Sequence, residues 1–498
     1  CSGSFKGLRT TISGQHSVQR EAMAPAAASP EPQRRHAVLF PFMSKGHTIP
    51  LLHLARLLLS RRLAAVTVIT TPANRPFIAA TLSGTPASVL DIPFPRRAPF
   101  LPPGVETTDH LPSVSLFFRL ANATALMRPD FERALRALRP RPTFIVSDGF
   151  LGWTQASAAA LGIPRFVFYG MSNYAMTVSR ELAAHGAATV SPSSGEDEPF
   201  AIPTFPWITL TLNDFEPEFR GRGGGGGPLV DFIIEQGIAT ERSQGIIANS
   251  FYELEAVFVD HWNDKYRPWS YCVGPLCLVD PGRPCDDAPS YLRWLDRKLA
   301  DGKSVLYVAF GSQAEISGEE SLEIAAGLEE SGVNYLWAAR NSGEGRTSGS
   351  EERSEGRGLV VRGWVEQRAV LGHRSVEGFV SHCGWNSVTD ALSAGVPVAA
   401  WPMMAEQHLN ARMVVEELKA GLRVQTRSGS VRGFVGREGL AAAAREVMEG
   451  ARGKEARRRA MEVAEMAAKA VAEGGSSWHA LERLVEDACG DGEESAER

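Results

Sequence analysis

The sequence predicts an α/β protein with two doubly wound parallel sheets that face each other across a cleft. Short apolar runs typical of buried strands alternate with amphipathic helical segments in two successive stretches of the chain. At 498 residues the chain is too long for one ordinary core, so two domains are expected. Residues 378 to 394 give the clearest unit, in which a strand, a tight polar turn and a helix follow one another.

Composition indicates a globular protein and argues against several classes of function. Hydrophobic residues make up 44% and charged residues 22% of the sequence, which are ordinary globular values. The net charge of −5 and the lack of a Lys/Arg stripe argue against a nucleic-acid partner. No apolar run reaches the ~18 residues of a membrane span. The six cysteines lack paired CxxC spacing, so we expect thiols in a reducing compartment and no zinc site.

The first half of the chain predicts strands that end in polar residues. Residues 38 to 40 form the first strand, residues 41 to 47 a loop at its carboxyl end, and Pro50 opens an amphipathic helix. His47 therefore lies at the sheet edge where open α/β sheets bind ligands. A later strand ends in Asp148, which could be only a helix cap. Further strands are predicted at 66–70, 143–147, 166–169 and 245–249, and 185–228 is expected to be mostly loop.

The second half repeats the alternation of strand and helix. Strands are predicted at 304–310, 335–339, 359–362 and 378–381, and helices at 319–330, 405–420, from 436 onward, and at 454–487 with a break at Gly474-Gly475. The domain boundaries that follow are a disordered leader over 1–34, an N-terminal domain over 35–279, a Pro/Asp-rich linker over 280–290, a C-terminal domain over 291–487 and a frayed tail over 488–498.

The turn after the strand at 378–381 indicates a site for an anion. Residues 382 to 384 make the turn, and a helix begins at residue 386 or 387 and stops at Gly395. Unpaired N–H groups and the positive end of the helix dipole then face the ligand side of the sheet, where they favour binding of a phosphate. A turn without function would need only small residues, whereas this one carries His, Trp, Asn and Ser.

The stretch from residue 364 to 407 carries an ordered set of residues: Trp364, Gln367, His382-Cys383-Gly384-Trp385-Asn386-Ser387, Gly395-Val396-Pro397, Glu406 and Gln407. In these residues and their spacing it resembles the signature box of the plant family-one UDP-glycosyltransferases. Two positions depart from the family pattern, because Glu366 stands where the family usually has Pro and Asp390 where it usually has Glu. The resemblance extends over residues 36 to 487. It implies the GT-B fold, with a Rossmann-like acceptor domain, a Rossmann-like UDP-sugar domain and a last helix that returns to the first domain.

The resemblance implies inverting glycosyl transfer with His47 as the general base and Asp148 as its hydrogen-bonding partner. A neutral imidazole is available near pH 7 to take the proton of an acceptor hydroxyl. No cofactor and no metal are expected, since the UDP-sugar is a co-substrate. The implied donor contacts are Ser312, His382, Asn386, Ser387 and backbone N–H groups around Gly384 at the diphosphate, Trp364 and Val365 at uracil, Gln367 and Asp390 at the ribose, and Trp385, Glu406 and Gln407 at the sugar hydroxyls.

Family correlations also give expectations for the two substrates. Gln407 resembles members that use UDP-glucose, and Trp385 stands where an Arg would suit a glucuronate. The acceptor is expected to be a planar, partly apolar alcohol or phenol, such as a flavonoid-like secondary metabolite or a hormone. Apolar candidates for its pocket in the first domain are Phe42, Phe117, Phe118, Phe150 and Met171.

Other interpretations remain open at this point. The donor could be UDP-galactose or UDP-xylose, and the protein could bind a UDP-sugar without turnover. A NAD-dependent oxidoreductase would need a strand followed by GxGxxG and a helix. The glycine run within 220–227 fits that motif only trivially, through Gly221, Gly223 and Gly226, because no strand precedes it and Pro228 follows. We expect a cytoplasmic monomer without a membrane span, whose partners are a UDP-sugar and a small acceptor.

Overall fold

The computed structural model describes residues 35–98, 101–189, 195–220, 227–279, 289–339, 349–353 and 356–490. The expectations for the leader, for residues 280–288 of the linker, for residues 491–498 of the tail and for most of the glycine run concern residues outside these ranges. Residues 35 to 498 form one compact unit by their internal contacts.

The described elements alternate between strand and helix through most of the chain. The strands are β1 His36–Phe40, β2 Ala65–Thr70, β3 Ser88–Asp91, β4 Phe144–Asp148, β5 Arg165–Tyr169, β6 Phe200–Ile202, β7 Phe205–Leu210, β8 Gly245–Ala248, β9 Ser270–Cys272, β10 Val305–Ala309, β11 Asn334–Ala338, β12 Gly349–Arg353, β13 Gly358–Arg362, β14 Val376–Ser381, β15 Val398–Ala400 and β16 Gly421–Arg423. The helices are α1 Lys45–Ser60, α2 Arg75–Thr81, α3 Phe117–Ala123, α4 Arg128–Ala137, α5 Thr154–Ala160, α6 Asn173–Thr189, α7 Pro228–Glu241, α8 Tyr252–Lys265, α9 Ser290–Ala300, α10 Gly318–Ser331, α11 Gln367–Leu371, α12 Trp385–Ser393, α13 Gln407–Arg412, α14 Arg437–Glu449, α15 Ala451–Val471 and α16 Ser476–Cys489.

Seven of the described strands form the first sheet, in the order β3-β2-β1-β4-β5-β8-β9 with parallel pairing throughout. The order reverses direction between β1 and β4, and open α/β sheets bind ligands at such a switch point. Helix α1 follows β1, and Asp148 is the last residue of β4. The topology therefore brings His47 and Asp148, 101 positions apart in sequence, to one edge of this sheet.

Seven further described strands form the second sheet, in the order β12-β13-β11-β10-β14-β15-β16. All neighbours pair in parallel except β12, which runs antiparallel to β13 at the edge. The switch point lies between β10 and β14. The loop with Ser312 follows β10, and the turn that begins at His382 follows β14, so the second sheet also gathers its predicted ligand residues at one edge. We call β1 to β9 with their helices the first lobe and β10 to β16 with theirs the second lobe.

Helix α16 returns to the first lobe, as predicted. Leu481, Leu484 and Val485 are buried in the same apolar cluster as the inner residues of β1 and β2. Each such side chain contributes about 1.5–3 kcal/mol when it is fully buried. An ion pair of 2.6 Å between Arg61 and Glu482 also holds the helix against α1.

The structure corrects several predicted elements. Helix α1 begins at Lys45 and not at Pro50, which lies inside the helix. Pro50 has no N–H to donate to the Gly46 carbonyl, and that carbonyl accepts from the Asn386 side chain instead. The stretch 185–228 contains the end of α6 and the antiparallel hairpin β6–β7. The predicted helix at 405–420 is α13 followed by a π-helix over Met413–Glu417. Strands β3, β9, β12, β15 and β16 were not predicted, since strands of three to five residues carry little periodicity.

No helix among the described residues is long and apolar enough to cross a membrane.

Candidate active site

His47 and Asp148 form a hydrogen-bonded pair at the switch point of the first sheet. His47 Nδ1 lies 2.8 Å from Asp148 Oδ2, and the other carboxylate oxygen accepts from the Phe150 backbone N–H at 2.9 Å. The Asp148 side chain is only 2% exposed and that of His47 is 22% exposed. With both oxygens engaged, the carboxylate is fixed and holds one ring nitrogen of a partly accessible imidazole. The other nitrogen, Nε2, has no hydrogen-bond partner among the described residues.

Burial and two carboxylates, those of Asp148 and Glu406, set the protonation of His47. Burial alone would lower the pKa of the imidazole, but the charge of Asp148, its hydrogen bond and the charge of Glu406 outweigh burial and raise the pKa above its usual value. Glu406 belongs to the second lobe, so the two lobes act together on this histidine. Burial in turn raises the pKa of the Glu406 carboxyl.

Aromatic rings surround His47 on the first lobe. The centroid of the imidazole lies 5.5 Å from that of Phe42 and 5.3 Å from that of Phe150, and Phe150 also contacts Phe117 and Phe118. Phe42 is fully buried, whereas Phe118 and Phe150 are partly exposed. These four predicted pocket residues therefore meet beside the candidate base.

Two residues change the predicted apolar pocket. Met171 packs against a different apolar cluster, which runs between the lobes, and does not join the rings around His47. Phe232 of α7 does join them, with its centroid 5.7 Å from Phe118 and 5.9 Å from Phe150. Sequence reasoning missed Phe232 because it lies on a distant helix with no motif around it.

The turn after β14 and the start of α12, for which the sequence predicts an anion site, are present in the structure. Gly384 caps α12, and the first three N–H groups of the helix, at Trp385, Asn386 and Ser387, have no acceptor within the helix. His382 lies beside them between two glycines. A Cβ at Gly311 would lie 2.6 Å and one at Gly384 2.5 Å from His382 Nε2, so neither position accepts a side chain. Burial lowers the pKa of His382 to about 4, so the ring is neutral near pH 7.

The start of α12 is joined to the first lobe by two side chains. Asn386 donates to the Gly46 carbonyl, directly before His47, and accepts from Asn249 Nδ2 at 3.5 Å. The indole N–H of Trp385 donates to the Asn249 carbonyl at 2.8 Å, and Trp385 is only 1% exposed. The Trp385 side chain is thus packed between the lobes with its indole N–H engaged, and its backbone N–H has no acceptor within the helix. Sequence reasoning missed Asn249, although its place directly after β8 gave a signal.

Gln367, Ser387 and Asp390 form a small polar network at the same end of α12. Gln367 Nε2 donates to Ser387 Oγ at 3.1 Å and to Asp390 Oδ2 at 2.8 Å. Burial raises the pKa of Asp390 to about 6, and the Gln367 hydrogen bond acts against that rise. The structure therefore brings together the two residues predicted to reach the ribose and one predicted at the diphosphate.

Trp364 and Val365, to which the resemblance assigns contacts with uracil, follow the end of β13. Trp364 is 46% exposed, whereas Val365 is buried. The next residue, Glu366, donates its backbone N–H to Tyr291 Oη at 3.1 Å. A proline, which the family usually has there, cannot make this bond because it lacks the N–H.

Backbone contacts fix the two residues at the end of the box. Gln407 Oε1 accepts from the N–H groups of Met403 and Met404, both at 3.0 Å, so the amide presents its NH₂ group outward as a donor. Glu406 precedes α13, and the neighbouring Ala405 N–H donates to Glu216 of the first lobe at 2.7 Å. Ser312 is partly exposed in the loop after β10, and its neighbour Gln313 donates to Ser44 Oγ at 2.8 Å across the cleft.

Within the described ranges, no group of three or more His, Cys, Asp or Glu side chains could hold a metal ion.

Comparison with known proteins identifies the family. A family model described as UDP-glucoronosyl and UDP-glucosyl transferase matches residues 290–466. UDP-glycosyltransferase 90A1 of Arabidopsis thaliana is 49% identical, over 91% of this chain and 96% of its own length.

Solved structures share the fold. UGT73P12 of Glycyrrhiza uralensis, complexed with glycyrrhetinic acid 3-O-monoglucuronide, is similar with a TM-score of 0.78 at 29% identity, over 91% of this chain and 96% of that one. UGT2 of Phytolacca americana, complexed with UDP-2fluoro-glucose and pterostilbene, gives a TM-score of 0.73 at 28% identity, over 91% and 99% of the two chains.

Fold and relatives together define a UDP-dependent glycosyltransferase with the GT-B architecture. The chain belongs to the plant family-one UDP-glycosyltransferases, which act on small plant metabolites.

Proposed function

We propose that the enzyme transfers glucose from UDP-glucose to a hydroxyl of a planar phenolic acceptor, with inversion at the anomeric carbon. The observation that carries the proposal is the 2.8 Å contact between His47 and Asp148 beside the start of α12. This arrangement supports a general base, His47, on one side of the cleft and a site for the leaving diphosphate, at the start of α12, on the other.

His47 acts as the general base in this proposal. Asp148 accepts the Nδ1–H bond and so leaves the Nε2 lone pair to take the acceptor proton, a role in which a carboxylate also stabilises the imidazolium that forms. The acceptor oxygen then displaces the diphosphate from the anomeric carbon in one step. One displacement inverts the configuration, and no covalent intermediate is needed.

The leaving diphosphate binds at the start of α12. Backbone N–H groups of Gly384, Asn386 and Ser387 face the developing negative charge, and neutral His382 and Ser312 add donors. Asn386 acts there mainly by holding the helix to the Gly46 carbonyl. These donors stabilise the charge that appears as the bond to the sugar breaks.

The nucleoside binds next to the diphosphate. Trp364 stacks on uracil, the Val365 backbone pairs with its edge, and the network of Gln367 and Asp390 binds the ribose. The Asp390 side chain is one methylene shorter than the usual Glu. The hydrogen bond from the Gln367 amide to Asp390 supports binding of the ribose hydroxyls by both side chains together.

Glucose is the proposed sugar. The outward NH₂ group of Gln407 and the carboxylate of Glu406 would bind its hydroxyls from the second lobe, and the backbone N–H of Trp385 would add a third contact. UGT2 of Phytolacca americana, which has a UDP-2fluoro-glucose complex, supports this assignment by similarity.

The acceptor is proposed to be a phenol because of the rings beside His47. Partly exposed Phe118 and Phe150 offer edge and face contacts to a planar aromatic molecule, and buried Phe42 and Phe117 support them from behind. Pterostilbene, the second ligand in the UGT2 structure, is consistent with such a pocket.

We also propose that the enzyme works without a metal, as a monomer in the cytosol. Cys272, Cys277 and Cys383 are buried free thiols, which suits a reducing compartment. Size-exclusion chromatography with light scattering and a fluorescent fusion would test these two assignments.

The function is tested by a transfer assay with UDP-glucose, UDP-galactose and UDP-xylose against a panel of phenols, read by UDP release and product mass. The expected result is a hexose-mass increase with UDP-glucose, retained in EDTA, and a β-linked product by NMR. Preference for another donor would overturn the sugar assignment. Loss of activity in EDTA that returns with a divalent cation would overturn the metal-independent mechanism.

A further inference from the structure

One cation of the first lobe reaches across the cleft to the second. Lys45 is the first residue of α1, two positions before His47, and its Nζ lies 4.9 Å from the ring centroid of Trp364. This distance is within the range of a cation–π contact. Lys45 comes from the facing lobe, so the indole face that it covers is turned toward the cleft.

The ammonium is held in this place by an acid of its own lobe. Lys45 Nζ lies 2.6 Å from Asp109 Oδ2. The segment with Asp109 is tied to the loop directly before Lys45, because Thr108 N–H and Thr107 Oγ1 both donate to the Met43 carbonyl, at 2.9 and 3.1 Å. The segments that carry Lys45 and Asp109 are therefore joined, and their ion pair holds the ammonium beside the Trp364 ring.

A nucleotide base and the Lys45 ammonium cannot occupy this face of the indole together. Atoms of a stacked base lie roughly 3.5–4.0 Å from the ring below them. An ammonium 4.9 Å from the centroid, over the ring, lies in the space that a stacked base would need. Stacking of the base thus requires Lys45 to move away from Trp364.

We infer that Lys45 is a donor-site residue that competes with the base for the cleft face of Trp364. The inference rests on the proposed assignment of Trp364 to uracil. Binding of the donor exchanges a cation–π contact for base stacking, and release of UDP allows the ammonium to return. Lys45 therefore weakens the binding of both donor and product and favours departure of UDP after transfer.

The test is the affinity of Lys45→Met for UDP and for UMP, measured by isothermal titration calorimetry. Methionine keeps the length of the side chain and removes the charge. Both dissociation constants are expected to fall by about two- to fivefold, the range that corresponds to ~0.5–1 kcal/mol for a cation–π contact at an exposed site. The inhibition constant of UDP in the transfer assay should fall by the same factor.

A matched control removes the same charge elsewhere. Lys454 is exposed on α15, and Lys454→Met should leave both affinities at the wild-type value. Thermal melting of both variants checks that the fold is intact. Equal tightening in Lys454→Met would mean that net charge alone causes the effect, and the inference would be wrong.

Two further results would overturn the inference. If Lys45→Met binds UDP and UMP with unchanged affinity, the contact between Lys45 and Trp364 does not compete with the nucleotide base. Weaker UDP binding with unchanged UMP binding means that Lys45 contacts the β-phosphate instead.

The variant Trp364→Ala separates this inference from the proposed function. If Trp364→Ala loses UDP affinity and Lys45→Met does not gain it, the donor assignment stands and the competition fails. If Trp364→Ala binds UDP normally, the assignment of Trp364 itself fails. In the double variant, Lys45→Met should add nothing to Trp364→Ala, because the shared contact has already been removed.

Discussion

The two lobes present different kinds of polar group at equivalent points of their sheets. Between β1 and β4 the first lobe places two side chains, and a buried carboxylate orients an imidazole there. Between β10 and β14 the second lobe places a turn and a helix start, where backbone N–H groups and glycines dominate. The difference teaches that the same topology can supply a reactive side chain on one side of a cleft and a fixed electrostatic cradle on the other.

Removal of the His47 imidazole is expected to have the largest effect among the tests of this division of roles between the lobes. In His47→Ala, kcat should fall by about 10²–10⁴, the usual contribution of a general base, because nothing else takes the acceptor proton. The affinity for UDP should stay at the wild-type value, since the proposed nucleotide site lies on the other lobe. Steady-state kinetics and calorimetry check the two halves of this prediction, and substantial retained turnover would contradict the role of His47.

Asp148→Asn tests the orientation and protonation of the same ring. We expect kcat to fall by about 10²-fold, because the ring loses the partner that holds its tautomer and position. The charge of Asp148 raises the pKa of His47, so its removal should lower that pKa. The base works when neutral, so activity is lost as the pH falls through the pKa of His47. The acid-side midpoint of kcat/KM should therefore move to lower pH in the variant, and a midpoint that stays or rises would contradict the assignment.

Trp364→Ala tests the other side of the comparison. Base stacking on an aromatic side chain contributes ~1–3 kcal/mol, so the dissociation constant of UDP should rise by about 30-fold. At saturating donor, kcat should change far less than in His47→Ala. If kcat falls while the affinity for UDP is kept, the lobes are not divided as proposed.

The smallest expected effect concerns the departure from the family pattern beside Trp364. Glu366→Pro removes the bond from the backbone N–H to Tyr291, worth ~0.5–1.5 kcal/mol, and proline recovers ~0.4–1 kcal/mol by restricting the unfolded chain. We expect a net loss of unfolding free energy below about 1 kcal/mol, measured by urea denaturation. Tyr291→Phe in the same background should cost less than it does alone. Equal costs of Tyr291→Phe in the two backgrounds would show that the bond contributes nothing.

Much of the fold and of the site could be predicted because the relevant signals are local. The apolar runs of β1, β4 and β14 and the turn chemistry at 382–384 are visible within a few residues of each other. The sequence therefore predicts two parallel sheets and a helix N-terminus that suits an anion. The position of His47 after β1 and of Asp148 at the end of β4 followed from the same local reasoning, and the structure places them in contact.

The contacts that were missed join residues far apart in sequence. The indole of Trp385 bonds to a carbonyl 136 positions away, and Lys45 lies over a ring on the other lobe. A motif shows which residues stand together but not which of their atoms are already engaged. For this reason the sequence predicts neither the burial of the Trp385 indole, nor the contact of Lys45 with the second lobe, nor the part that Asn249 plays.

The return of α16 to the first lobe has a consequence for biosynthesis. The core of that lobe includes Leu481, Leu484, Val485 and Ala488 together with the inner residues of β1 and β2. The ribosome makes β1 first and this helix more than 400 positions later, as the 421-residue separation of Arg61 and Glu482 illustrates. The first lobe therefore cannot complete its apolar interior during translation, and until α16 emerges a nascent chain exposes a surface that chaperones recognise.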